Sequence, residues 1–178
     1  MPGSRRLSQR ISEGDGIAII ARVRDVESAR EAEAQGAKAL AVDGAVAGIR
    51  ESTTLPLLWI GKGSPVDADA IAMRPGAEPA DHLEVVLHVR DEDELELALE
   101  EHDPAIFLLA ASVDDGHDDP LESVLELLPD VPAGKLAIAD VEVSTRDEVV
   151  ALERAGFDAV LAPAGSVSAL VGSSPPDV

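Results

Sequence analysis

The chain contains no cysteine, which removes disulfides, thiolate metal sites and cysteine nucleophiles together. It has no tyrosine, one tryptophan and two phenylalanines. Trp59, Phe107 and Phe157 are therefore its whole aromatic inventory, and stacking platforms for bases or sugars are scarce. The core has to be built from Ala, Val, Leu and Ile. Basic residues are also few: 14 Lys and Arg stand against 35 Asp and Glu, a formal net charge of −21. Such a surface repels nucleic-acid phosphates and anionic membranes, so no nucleic acid and no membrane is expected as a partner. No run of 18 apolar residues occurs, and the opening "MPGSRRLSQRISEGDG" carries Arg5 and Arg6 without the apolar stretch of a signal peptide. A soluble, cytoplasmic protein is the expectation.

What the chain does have is a repeating alternation. Its 178 residues, 46% of them hydrophobic, suffice for one domain with a sizeable core. Eight strand-like runs recur: "IAIIARV" (17–23), "AKALAV" (37–42), "LPLLWI" (55–60), "AIAM" (70–73), "LEVVLHV" (83–89), "AIFLLAA" (105–111), "KLAIAD" (135–140) and "DAVLAP" (158–163). Most are apolar on both faces, as in a parallel sheet covered by helices. Helical patterns separate several of them: "DVESAREAEAQGA", "DEDELELALEEH", "DPLESVLELLPD" and "STRDEVVALERAGF". In the last, Ser144 reads as the N-cap with Asp147 three residues on, Val149, Val150 and Leu152 begin the apolar stripe, and Gly156 closes the helix.

Eight strands in this order predict a compact α/β fold, a closed (β/α)8 TIM barrel, with an open, doubly wound sheet as the competing architecture. The chain is short for such a barrel, which usually takes about 200 to 250 residues. The deficit falls where the third, fourth and fifth strands start only about 14 residues apart, too close for full crossover helices. Shortened or missing helices around strands 3–5 would leave apolar strand faces that a second copy could cover, which predicts a homo-oligomer. The expected organisation is a polar N-terminal arm (1–16), a single barrel domain (17–172) and a flexible tail (173–178).

In a barrel the ligand site lies at the C-terminal ends of the strands. That rim collects Arg22 and Arg24 after the first strand, Asp43 after the second, Lys62 after the third and Arg74 after the fourth. His88 and Arg90 follow on the fifth, Ser112 and Asp114 on the sixth, Asp140 and Glu142 on the seventh, and Gly165 to Ser168 on the eighth. Five of the 14 basic residues gather there, a local exception in so acidic a chain. Two readings stay open: the cations hold an anionic ligand, or they pair with Asp43, Asp140 and Glu142 to close the barrel top.

The turn "APAGSVSAL" can present backbone N–H groups and the hydroxyls of Ser166 and Ser168 to a phosphate. Alternation along "VVLHV" points His88 into the mouth, where a group titrating near neutrality can act as acid or base. "GKGS" (61–64) lacks the first glycine of a P-loop. "DDGHDD" (114–119) does not have EF-hand spacing and reads as a solvated acidic loop. His82 and His102 read as surface residues. Neither a metal nor a cofactor is expected.

The phrases "LEVVLHVRDEDELELAL", "LAIADVEVSTRDEVVALERAGFDAVL" and, more loosely, "LPLLWIGKGSPVDADAIAM" resemble indole-3-glycerol phosphate synthase, a (β/α)8 lyase of tryptophan biosynthesis. "IARVRDVESAREAEAQGAKALAV" looks equally like phosphoribosylanthranilate isomerase, a sister barrel. The resemblance implies a phosphate-binding barrel, but most of the synthase's catalytic residues are missing. Its first-strand Glu and Lys would fall at Ile19 and Ala21, and its third-strand Lys near Ile60, with Lys62 two residues away. The fifth-strand Glu becomes His88, the sixth-strand Asn becomes Ala110 or Ala111, and the seventh-strand Glu-Ser becomes Asp140-Val141. Asp140 alone is a conservative match, and the isomerase's Cys falls at Ala21.

The leading expectation is thus a barrel that has lost the ancestral activity and binds a small phosphorylated or carboxylated metabolite through Arg22, Lys62, Arg74, Arg90 and the Gly165–Ser166 turn, with Ser168. An active carbon-carbon lyase with rearranged residues, using His88 and Asp140 as acid and base and Lys62 on the substrate, is the first alternative. A non-catalytic oligomeric assembly protein is the second.

Overall fold

The computed structural model describes residues 6–13, 17–61, 68–76, 83–101, 105–110, 120–143 and 145–171. Eight parallel strands close into a barrel in sequence order. They are β1 (Ala18–Arg22), β2 (Ala39–Val42), β3 (Leu57–Trp59), β4 (Ala70–Met73), β5 (Glu84–Val89), β6 (Ile106–Ala110), β7 (Leu136–Asp140) and β8 (Ala159–Pro163). The barrel shuts where β1 pairs with β8, Ala18 against Ala159 and Arg22 against Pro163. All eight strands read from the sequence are present, and the closed (β/α)8 barrel stands over the open sheet.

Each strand is apolar on both faces because each face meets a different core. Ala18, Ile20, Ala41, Leu58, Val86, Leu108, Ile138 and Leu161 fill the barrel interior. Ile19, Ala21, Leu40, Val42, Trp59, Leu87, Phe107, Leu109, Ala139 and Val160 face out into a second core beneath the helices. The period of two along each strand sorts them.

The helices are α1 (Arg6–Ser12), α2 (Val26–Gln35), α3 (Ile49–Ser52), α4 (Glu92–Glu101), α5 (Pro120–Leu127), α6 (Arg146–Ala155) and α7 (Val167–Val171). Two of them begin and end on the same device. Asp25 and Ser28 form a capping box for α2, which stops at Gly36 with φ 110. Thr145 and Glu148 do the same for α6, which stops at Gly156 with φ 116. The left-handed turn needs glycine at both stops. The α6 cap therefore sits one residue beyond Ser144, which lies outside the described residues: Thr145 Oγ1 accepts the Glu148 N–H, and Glu148 returns a carboxylate to the Thr145 N–H. Two adjacent hydroxyl residues allow either register from the sequence, and Glu148 at the third helical position completes the box with Thr145.

Among the described residues no helix follows β3 or β4, in keeping with the expected trimming, and α3 between β2 and β3 is a single turn. Arg50 in that turn ties the thinned sector together by donating to Asp69 Oδ2 at 2.9 Å and to the Leu55 carbonyl. Asp69 also accepts the Leu57 N–H. The apolar exposure anticipated on this side is slight: Trp59, Met73, Leu87 and Val89 are buried, and Ile71 and Val85 are half-buried.

The N-terminal segment read as a polar arm carries α1, whose Leu7 and Ile11 join the interior core at the N-terminal end of the barrel. Ala18, Ala39, Ala70 and Ala159 on four strands line that end, and side chains this small leave room for two larger ones from below. Glu84, buried at the start of β5, accepts the Ser8 N–H at 3.0 Å and fastens the plug. The expected tail (173–178) lies outside the described residues.

Candidate functional site

The C-terminal ends of β1, β5 and β7 deliver the centre of the site. Arg22 is the last residue of β1 and Asp140 the last of β7. The Arg22 guanidinium donates to Asp140 Oδ1 in a direct ion pair. On the other carboxylate oxygen, Asp140 Oδ2 lies 3.8 Å from His88 Nε2 of β5. Alternation placed His88 inward, since Glu84 and Val86 occupy the preceding inward positions of the same strand. One carboxylate thus stands between a guanidinium and an imidazole, and the three side chains bridge the half of the mouth from β5 through β7 to β1.

His88 Nε2 is buried and has no hydrogen-bond partner among the described residues. Burial, the largest influence, pushes the imidazole below its ordinary value of 6.5; Asp140 and Glu94 pull it up, while Arg74 and Arg90 push it down. A neutral imidazole near pH 7 follows.

The remaining cations divide into two kinds. Arg90 is committed to α4: its guanidinium donates to Glu94 Oε1 at 2.8 and 3.0 Å, and its backbone N–H donates to Glu94 Oε2. Arg74, exposed beyond β4, has no hydrogen bond or ion pair among the described residues, although its charge reaches His88. Arg24 is likewise exposed, with no side-chain partner among them. Both readings of the rim are therefore realised in part, because Arg22 and Arg90 are paired while Arg24 and Arg74 are not.

Beside the bridge, over β1, β2, β3 and β8, opens a cavity of about 290 Å³ lined by Arg22, Arg24, Asp43, Ile60 and Pro163. Its β2–β3 wall is held closely. Ile60 donates to the Val42 carbonyl at 2.8 Å, and a Cβ placed on Gly61 would fall 1.9 Å from the Asp43 carbonyl oxygen. Only glycine lets the two loops approach this far. Gly165 and Ser166 form a single 3-10 turn (Ala164–Ser166) that leads from β8 into α7. A Cβ on Gly165 would meet nothing within 4 Å, so no close contact among the described residues requires glycine there.

Lys62, Ser112, Asp114, His82, His102 and the whole of "DDGHDD" lie outside the described residues. So does the side chain of Ser168, although its backbone belongs to α7. Among the described residues no cluster of three or more metal-ligating side chains occurs, and no helix is long and apolar enough to cross a membrane.

The structure also corrects the register in which the resemblance was carried onto the first strand. Ile19 and Ala21 face the outer core, so neither occupies a position from which a side chain reaches the mouth. The inward residues of β1 are Ala18, Ile20 and Arg22, and it is Arg22 that takes the uppermost place. Sequence reasoning missed Glu94 as the counter-ion of Arg90, although the i, i+4 spacing in "RDEDE" was a usable signal.

No family model matches the chain. An indole-3-glycerol phosphate synthase from Chlorobium phaeovibrioides is 34% identical over 79 residues, which is 44% of this chain and 30% of the synthase. The match therefore spans less than a third of that relative. Among solved structures, thiamine phosphate pyrophosphorylase from Pyrococcus furiosus superimposes with a TM-score of 0.61 at 20% identity, covering 87% of this chain and 93% of its own. The (S)-3-O-geranylgeranylglyceryl phosphate synthase from Thermoplasma acidophilum, solved with its substrate sn-glycerol-1-phosphate, gives a TM-score of 0.61 at 15% identity, covering 92% and 94%. These structural likenesses establish the barrel fold.

Proposed function

We propose that the barrel mouth binds a small phosphorylated or carboxylated metabolite, and that the ring-closing lyase chemistry of the synthase it resembles in part is absent. The observation that carries this reading is a pair of arginines at the mouth, Arg24 and Arg74, whose side chains have no partner among the described residues, in a chain with net charge −21. Each is a positive centre that attracts a small anion in so acidic a protein: Arg24 lines the cavity over β1, β2, β3 and β8, and the charge of Arg74 reaches His88. The cavity beside Arg22 and Arg24, about 290 Å³, sits at the low end of the range for small-molecule sites, about 300 Å³. The solved barrels with the same fold are named for phosphorylated compounds, and one of them holds glycerol phosphate. That agrees with the reading without deciding it.

Catalysis by the synthase route would need an acid and a base placed around the substrate. The inward positions at the top of β1 and β6 carry Arg22 and Ala110, and the Asp140 carboxylate is already engaged by Arg22. A second reading draws on a specific contact: His88 Nε2 and Asp140 Oδ2 at 3.8 Å form an acid/base pair in an active lyase, with Lys62 on the substrate. Two experiments separate these. Calorimetric titration with glycerol phosphate should show saturable binding that an Arg22→Ala, Arg74→Ala double variant loses; unchanged affinity would remove the binding proposal. Formation of indole glycerol phosphate by the wild-type protein, abolished in His88→Gln, would establish the lyase in its place.

A further inference from the structure

Among the described residues three buried side-chain polar atoms have no hydrogen-bond partner: Trp59 Nε1, Glu84 Oε2 and His88 Nε2. Trp59 lies in the outer core, and Glu84 sits at the plugged end of the barrel. Only His88 directs such an atom into the mouth. A buried polar group left unpaired is uncommon in a folded protein and asks for a reason.

Charged groups face His88 from several elements. Asp140 approaches from β7, Arg74 from beyond β4, Arg90 from beyond β5 and Glu94 from α4, while Arg22 of β1 pairs with Asp140. Arg22 and Arg90 are each matched by a carboxylate, and among the described residues Arg74 is not. An anion drawn to Arg74, whose charge reaches His88, thus brings negative charge toward a half-buried imidazole whose buried Nε2 has no hydrogen-bond partner among the described residues and only the Asp140 carboxylate at 3.8 Å. Burial holds that imidazole below its ordinary value, so near neutrality it has a proton site to fill. A nearby negative charge favours the protonated form.

We propose that the mouth takes up its anion together with one proton, carried by the imidazole of His88, and that it therefore favours a doubly charged tetrahedral anion, one charge facing arginine and the other the imidazolium. This rests on reading the mouth as an anion site, and it adds the charge of the ligand and the proton that accompanies it. A neutral imidazole within the electrostatic reach of Arg74 distinguishes dianions from monoanions, because only the second charge recruits the proton.

Inorganic sulfate is the probe, since its charge stays constant over the working range. Titration calorimetry from about pH 6 to about pH 8.5 at fixed ionic strength should show affinity falling as pH rises, by up to about tenfold per pH unit, the limit for one coupled proton. Runs in two buffers of different ionisation enthalpy should report proton uptake. In His88→Gln the binding should be weaker near pH 6 and independent of pH. Should that variant not fold, the imidazole resonance of His88 in the wild type serves instead, and its titration midpoint should rise when sulfate is added. Sulfate affinity that is equal at both ends of the range, with no movement of the His88 midpoint, overturns the proton-coupling proposal and leaves the anion site standing. No sulfate binding at any pH overturns both.

Discussion

Replacing Asp140 by asparagine tests whether the carboxylate at the centre of the mouth guards the site or builds it. Asn keeps the shape and an acceptor for Arg22, and removes the charge. The stability change should be small. Arg22 is 48% exposed in the pair, and exposed ion pairs are worth up to about 1 kcal/mol. The effect on binding should be larger and favourable. A carboxylate about 4 Å from an incoming anion repels it by about 1 kcal/mol in water and by more where solvent is excluded. With Asp140 only 21% exposed, a gain in phosphate or sulfate affinity of about five- to tenfold is expected. The same substitution removes the larger of the two influences that pull His88 upward and leaves that of Glu94, so its titration midpoint should fall. Calorimetry and the His88 resonance read the two effects separately. A loss of anion affinity in Asp140→Asn would show the opposite, that the carboxylate is part of the binding machinery.

Gly61→Ala forces a methyl group to within 1.9 Å of the Asp43 carbonyl and should cost about 1–3 kcal/mol in chemical denaturation, whereas Gly165→Ala, facing open space, should stay within about 0.5 kcal/mol of wild type. Leu7→Ala empties a fully buried position in the plug; a loss of about 2–5 kcal/mol is expected, and a negligible change would show that α1 does not seal the barrel. Because burial holds His88 below 6.5, the unfolded chain binds the proton first, so stability should decline as pH falls from about 6.5 toward the lowered native value. Measured between those limits, the decline should be shallower in His88→Gln.

The barrel was legible because its strands carry a period of two over apolar runs, and because "AEAQGAKALAV" and "LERAGFDAVLA" end helices on glycines that the structure places at φ 110 and 116. The inward aim of His88 was legible for the same reason. What stayed hidden is mostly long-range. Nothing local marks Arg22 and Asp140 as partners, since they lie 118 residues apart and meet only because closing the sheet brings β1 and β7 within reach. Nor does "RLSQRIS" announce a helix: it has no acidic first turn, and Leu7 and Ile11 are two apolar residues at i, i+4 whose burial depends on four alanines from distant strands. The carried-over register at Ile19 and Ala21 failed because inward and outward faces of a buried strand are equally apolar, so hydrophobicity cannot tell them apart.

Anion binding at the mouth through Arg24 and Arg74 is open to direct measurement. The most direct test is the thermal midpoint of the wild type and of Arg74→Ala, with and without millimolar phosphate at fixed high ionic strength. A ligand bound only by the folded state at ten times its dissociation constant adds about 1.4 kcal/mol, which for a chain of this size raises the midpoint by about 3–5 °C. A saturable rise of that order is expected in the wild type and a clearly smaller one in Arg74→Ala. No rise in the wild type, or an equal rise in both proteins, would contradict it.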